Sequence, residues 1–125
     1  MEYGFCTGFA TKPLWGTDKE LVIDISKSGY GFVTELEDYI ENKKTKIASI
    51  TGRYYAMDRD KRWERVKLAY DALVHGKGEH STNILKSIKA NYDNDITDEF
   101  IKPIIAVDKS NQPIAKIKDG DVVVF

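Results

Sequence analysis

From Lys27 onward the chain changes its hydrophobic period repeatedly. Stretches with an apolar residue every three or four positions alternate with short runs rich in β-branched residues. A helix-period segment has one stripe to bury and a period-two segment has one face, so each needs the other packed against it. Helices alternating with strands in the middle, and strands adjoining at the end, predict an α/β fold: a mixed β-sheet flanked by helices.

The segments can be placed individually. Thr34 and Glu37 have the S/T-x-x-E spacing of a capping box, and Val33, Leu36, Tyr39 and Ile40 share one helical face. A helix is expected there, starting at Thr34 or as early as Ser28, and closing at Asn42-Lys43-Lys44, where cations suit the negative end. Residues 46–50 are β-prone and stop at Thr51-Gly52. Asp60 is placed to cap a second helix, whose Trp63, Val66, Tyr70 and Leu73 recur at helical spacing and read as its core face. His75-Gly76-Lys77-Gly78 ends it, since glycine accepts the left-handed conformation. Ser81 or Thr82 would cap a third helix that buries Ile84, Leu85, Ile88 and Tyr92. Residues 103–107, 114–117 and 122–125 read as strands, with turns through Asp108, Ser110 and Asn111 and through Asp119-Gly120-Asp121. An apolar strand running straight to the terminus suggests a chain cut inside a domain. Residues 1–26 show no period until residues 21–25, which fit a short strand.

Charge and cysteine content narrow the classes of function. Nineteen Lys and Arg against twenty Asp and Glu give a net charge of −1, which supplies no bulk field for gripping nucleic acid or an anionic membrane. A single cysteine, Cys6, forms no internal bridge, so a reducing cytoplasm is the expected location. No apolar run approaches the roughly 18 residues of a membrane span.

The densest chemistry lies in residues 51–65, where a strand hands over to a helix. Arg53 and Arg59 bracket a loop from which two guanidinium forks can converge on a phosphate or carboxylate, an anion able to accept two parallel N–H bonds from each. The competing reading is a solvated, salt-bridged surface loop in which Asp58, Asp60 and Glu64 neutralise the arginines. His75 and His80 do not match the spacing of a helical metal pair and read as ordinary loop histidines. Gly29-Tyr30-Gly31 and Gly76-Lys77-Gly78 are too short to cradle a phosphate, and Cys6 has no histidine partner in sequence.

The run from Ala48-Ser49-Ile50-Thr51-Gly52-Arg53-Tyr54-Tyr55-Ala56-Met57-Asp58-Arg59-Asp60 through Lys61-Arg62-Trp63-Glu64-Arg65 resembles a signature of the cofactor-independent phosphoglycerate mutases. Thr97-Asp98-Glu99-Phe100-Ile101-Lys102-Pro103 resembles a second family segment, and Asp119-Gly120-Asp121-Val122-Val123-Val124-Phe125 the approach to a further arginine motif. The resemblance covers residues 27–125. It implies part of a phosphotransferase domain from an isomerase that interconverts 3-phosphoglycerate and 2-phosphoglycerate in glycolysis, with manganese or magnesium and a phosphoserine intermediate. By that pattern Arg53 and Arg59 bind the substrate. The family's nucleophilic serine and metal ligands have no match here, so no catalytic residue, metal ligand or bound cofactor is assigned to this chain. At residues 21–26 the family's Gly-Arg-Asp-Thr-Pro-Pro is not matched, so residues 1–26 read as foreign or rearranged. The expectation is therefore a fragment holding part of the phosphoglycerate site and inactive alone. The alternative is a non-catalytic anion-binding or oligomerisation module, and a homo-oligomer through an exposed sheet edge is expected.

Overall fold

Alternation along Ile104-Ile105-Ala106-Val107 sets the layering. Ile104 and Ala106 join Val33, Ile50, Ile84, Ile88 and Ile101 in one buried cluster, whereas Ile105 and Val107 join Ala72 in another. Successive side chains of a strand point to opposite faces, so this one segment is buried on both. The structure, a computed structural model, describes residues 4–7 and 25–124.

In chain order the elements are β1 (Gly4–Thr7), α1 (Gly29–Ile40), β2 (Ile47–Thr51), α2 (Arg53–Ala56), α3 (Trp63–His75), β3 (Glu79–Ser81), α4 (Ile84–Asp93) and β4 (Ile104–Ala106), with 3-10 turns at Ile25–Lys27 and Asp98–Phe100. The strands form one sheet in the order β1-β2-β4-β3. β1 runs parallel to β2, β2 antiparallel to β4, and β3 parallel to β4. The α/β class with a mixed sheet holds. No helix among the described residues is long and apolar enough to cross a membrane.

Local chemistry explains several departures from the sequence expectations. α1 starts at Gly29 with Ser28 at its N-cap, the earlier of the two expected starts, so the Thr34 capping box does not form. Thr34 instead sits inside the helix, its hydroxyl donating to the Tyr30 carbonyl at 2.8 Å. The free N–H of Gly29 donates to the buried carboxylate of Asp98 at 2.8 Å, a cap supplied from 69 residues away. That carboxylate also accepts the Tyr92 hydroxyl, which ties α4 to the same point. α4 is capped by Asn83, whose side-chain oxygen accepts the Lys86 N–H, and not by Ser81 or Thr82. Ser81 belongs to β3, a polar three-residue strand that exists because β4 offers it a parallel partner. α3 ends as expected at Gly76, which takes φ +65°.

Three expectations fail outright. The α3 stripe does not face the core: Trp63 is 75% exposed and Tyr70 55%, while the helix buries Ala69 and Ala72. Residues 114–117 form no strand: the segment meets the end of β4 through a single antiparallel bridge between Pro113 and Val107 and then passes to α3. Ile114 N–H donates to Ala106 O and Ile117 N–H to Leu73 O on α3. Val122, Val123 and Val124 are likewise exposed and outside any sheet, since β-branched residues make a strand only where a neighbour offers a ladder. In the first 26 residues, β1 is a strand that the sequence pattern did not announce, and Ile25 lies in a 3-10 turn. The rest of the strand expected at residues 21–25 falls outside the described residues.

Candidate functional site

β2 delivers the chain to the site. Residues 48–51 are buried, and the strand stops at Gly52, whose N–H donates to the Ile101 carbonyl at 2.8 Å. Gly52 is extended (φ −62°, ψ 149°) and makes no tight turn. A Cβ there would lie 2.5 Å from Glu99 O, 2.7 Å from Asp98 O and 2.8 Å from Ile101 N, all backbone atoms that cannot step aside. Glycine is needed for close approach. The two sequence segments that resemble one family, 48–65 and 97–103, are thereby packed together.

That contact places Arg53, the first residue of α2, beside Glu99. Its Nη2 donates to Glu99 Oε2 at 2.7 Å, with both side chains partly exposed. A guanidinium has five N–H donors and this bond uses one. Arg59 lies exposed on the loop that follows α2 and forms no hydrogen bond or ion pair among the described residues.

The acidic residues of the loop are engaged elsewhere. Asp58, with a side chain only 2% exposed, accepts the Arg62 backbone N–H at 2.8 Å through Oδ2 and Arg65 Nη1 at 3.2 Å through Oδ1. Asp60 does not cap α3. Its Oδ2 accepts the same Arg65 nitrogen at 3.2 Å, and α3 begins three residues later. Glu64 lies 3.9 Å from Arg62. The surface-loop reading was therefore right that the carboxylates form salt bridges, but they pair with Arg62 and Arg65, not with Arg53 or Arg59.

Aromatic rings fill the space behind the loop. The Arg65 guanidinium lies 3.8 Å above the Tyr54 ring, which contacts Tyr55 edge-on and Phe100 at a tilt. Burial pushes the Tyr55 phenol above its usual range, Tyr54 adds to this and Arg65 opposes it, so the phenol stays neutral. Sequence reading did not find Glu99, Arg65 or Tyr54 as parts of this arrangement. Only the flagging of residues 97–103 as a family segment pointed toward Glu99.

The histidines lie apart from it. His75 is the last residue of α3, 3.9 Å from Asp71, and His80 lies on β3 against Asn111 and the Gly76 carbonyl. Neither is a free loop residue. Among the described residues no three His, Cys, Asp or Glu side chains come together in a way that holds a metal ion.

The family model described as the BPG-independent PGAM N-terminus matches residues 24–125. A 2,3-bisphosphoglycerate-independent phosphoglycerate mutase of Flavobacterium johnsoniae is 58% identical over 99 residues, covering 79% of this chain and 20% of that protein. The enzyme of the same name from Parabacteroides distasonis is 49% identical over 124 residues, covering 99% of this chain and 23% of its own length. That alignment takes in the first 26 positions almost entirely. A crystal structure of Leishmania mexicana phosphoglycerate mutase at low cobalt concentration superposes with a TM-score of 0.70 at 32% identity, over 75% of this chain and 19% of that one. The chain spans about a fifth of the length of the relatives it matches.

Proposed function

We propose a function from one premise: the chain belongs to the family of 2,3-bisphosphoglycerate-independent phosphoglycerate mutases, in their N-terminal part. The segment supplies the guanidinium half of a phosphoglycerate site, with Arg53 and Arg59 as the substrate-binding residues. The observation that carries this reading is the disposition of charge in the loop. Asp58, Asp60 and Glu64 are each held by Arg62 or Arg65, so Arg59 keeps its donors for a ligand. A substrate bearing one phosphate and one carboxylate accepts paired N–H bonds at each end, which suits two separate forks.

Isomerisation by the complete protein, as a cytoplasmic glycolytic enzyme, is part of the same proposal. Phosphoryl transfer needs a nucleophile and metal ions to neutralise developing charge. Among the described residues no three His, Cys, Asp or Glu side chains come together to fit a metal centre; in this proposal other parts of the enzyme hold the manganese or magnesium. This segment alone should bind and not turn over. A coupled assay of the purified chain with manganese is expected to stay at background, and turnover surviving removal of trace host enzyme would contradict that.

Binding by two forks should be weak. Each charged hydrogen bond contributes about 1.5–3 kcal/mol, set against several kcal/mol of lost translational and rotational freedom, so the affinity should be no tighter than roughly millimolar. Calorimetric titration with 3-phosphoglycerate tests the assignment. Arg53→Ala and Arg59→Ala should each weaken binding, and Arg59→Lys nearly as much as Arg59→Ala, because an ammonium lacks the planar fork.

A second reading, a non-catalytic module that associates with its own copies, is favoured by β3. Among the described residues β3 pairs with β4 alone, which leaves its outer edge open. Sedimentation that shows only monomer at high micromolar concentration would remove it.

A further inference from the structure

We infer that Arg65 is a positioning residue for this anion site, acting through the two carboxylates that flank Arg59. The inference rests on the reading that Arg59 binds the anion, and it concerns what holds Arg59 in place.

One nitrogen carries the arrangement. Arg65 Nη1 lies 3.2 Å from Asp58 Oδ1 and 3.2 Å from Asp60 Oδ2, so its two hydrogens reach the residues immediately before and after Arg59. The same guanidinium lies 3.8 Å above the ring of Tyr54, the residue that follows Arg53. Arg65 thus touches a neighbour of each substrate-binding arginine. Its side chain is 19% exposed and that of Asp58 2%, so this pairing is sheltered from water where ordinary surface ion pairs are not. Asp58 is fixed a second time by the Arg62 N–H at 2.8 Å.

Two consequences follow for Arg59. Its backbone is pinned on one side through the sheltered Asp58 and tethered on the other through Asp60, whose side chain is 70% exposed. The Tyr54 contact references both to the start of α2, which sets its place relative to Arg53. Asp58 and Asp60, the carboxylates best placed by sequence to neutralise it, are also occupied. Without Arg65 both effects would be lost together: the loop would loosen and its carboxylates would be released to compete with the incoming anion. Lysine cannot substitute. An ammonium has no plane to lay on the Tyr54 ring while it bridges two carboxylates.

The test uses the whole chain with inorganic phosphate as the probe, following phosphate affinity and the Arg59 Nε–Hε resonance by NMR alongside thermal unfolding. Arg59→Ala is expected to weaken phosphate binding by at least about tenfold, since a charge-assisted fork is lost. Arg65→Lys, which keeps the charge, is expected to melt cooperatively yet bind roughly threefold to tenfold more weakly, since the planar bridge is gone. In the absence of phosphate it should also move the Arg59 resonance as the freed carboxylates reach that side chain, a change that a purely structural role for Arg65 would not produce. If Arg59→Ala weakens binding but Arg65→Lys binds like the parent with Arg59 unmoved, Arg65 does not position the site and the anion reading stands. If Arg59→Ala binds like the parent, the anion reading falls and this inference with it. Should Arg65→Lys not fold, Tyr54→Leu, which leaves every ion pair in place, decides by the same two readouts.

Discussion

α3 and α4 are both amphipathic by sequence, yet they contact the sheet in opposite ways. α4 buries its large residues, with Ile84 and Ile88 inside a cluster that includes Ile50 and Ile104 and with Leu85 and Tyr92 packed at its edge. α3 buries its small ones, Ala69 and Ala72, and carries Trp63, Val66 and Tyr70 outward. One helix is held by apolar volume. The other meets the sheet along a thin contact with Ile105 and Val107, and its first turns are tied to the site loop by Arg62 and Arg65. The difference separates two kinds of contact within one small unit: α4 makes the core, and α3 organises charge.

Substitutions should report that division. The largest effect is expected at Ile88, which is fully buried. Ile88→Ala should cost about 2–5 kcal/mol in denaturant unfolding, the range for removing a large aliphatic side chain from a core. A loss comparable to that of a surface change would break the contrast with α3. Next comes Gly52, where the sheet meets the site. Gly52→Ala must push apart two backbone segments and should cost about 1–3 kcal/mol, as overpacking does. It should also weaken 3-phosphoglycerate binding, because the displaced Glu99 backbone carries the partner of Arg53.

Smaller effects belong to α3. Trp63→Ser should leave stability within about 0.5 kcal/mol, as surface substitutions do, whereas a core stripe would lose several times more. The smallest effect concerns pH. The Asp71 carboxyl is held below the usual carboxylate range chiefly by the hydrogen bond from Lys67, with the charges of Lys67, Lys77 and His75 assisting and desolvation opposing. A folded-state pKa below the unfolded one gives stability that is fully present above the unfolded value and is lost as the pH falls through the folded one. Lys67→Met should therefore be less stable than the parent near neutrality and converge with it in acid. Unfolding curves taken across the acid range, with the Asp71 carboxyl followed by NMR, check the sign.

What the sequence made legible follows the same line. The buried face of α4 was readable because Ile84, Leu85, Ile88 and Tyr92 are both large and correctly spaced. α3 misled because its most regular apolar stripe is not its buried one. Periodicity marks a stripe but does not say which stripe faces the sheet when alanines form the contact. β3 was invisible because Glu79, His80 and Ser81 have no strand character of their own and depend on β4 for pairing. Val122, Val123 and Val124 show the converse, with strong local preference and no ladder to join. At the site, Arg53 and Arg59 are the arginines that the resemblance singles out. Glu99 lies 46 residues from Arg53, and the double grip of Arg65 on Asp58 and Asp60 depends on a loop path that no spacing rule encodes.

The central claim is that Arg53 and Arg59 together hold one phosphoglycerate. Nitrogen-15 NMR of the arginine side chains during a 3-phosphoglycerate titration tests it most directly. The account predicts that the Nε–Hε signals of Arg53 and Arg59 move together along one saturating curve with a midpoint near or above about one millimolar, while that of Arg62, on the same loop, stays still. If Arg53 and Arg59 do not move, or drift without saturation alongside Arg62, the loop is a solvated charge run and the assignment is wrong.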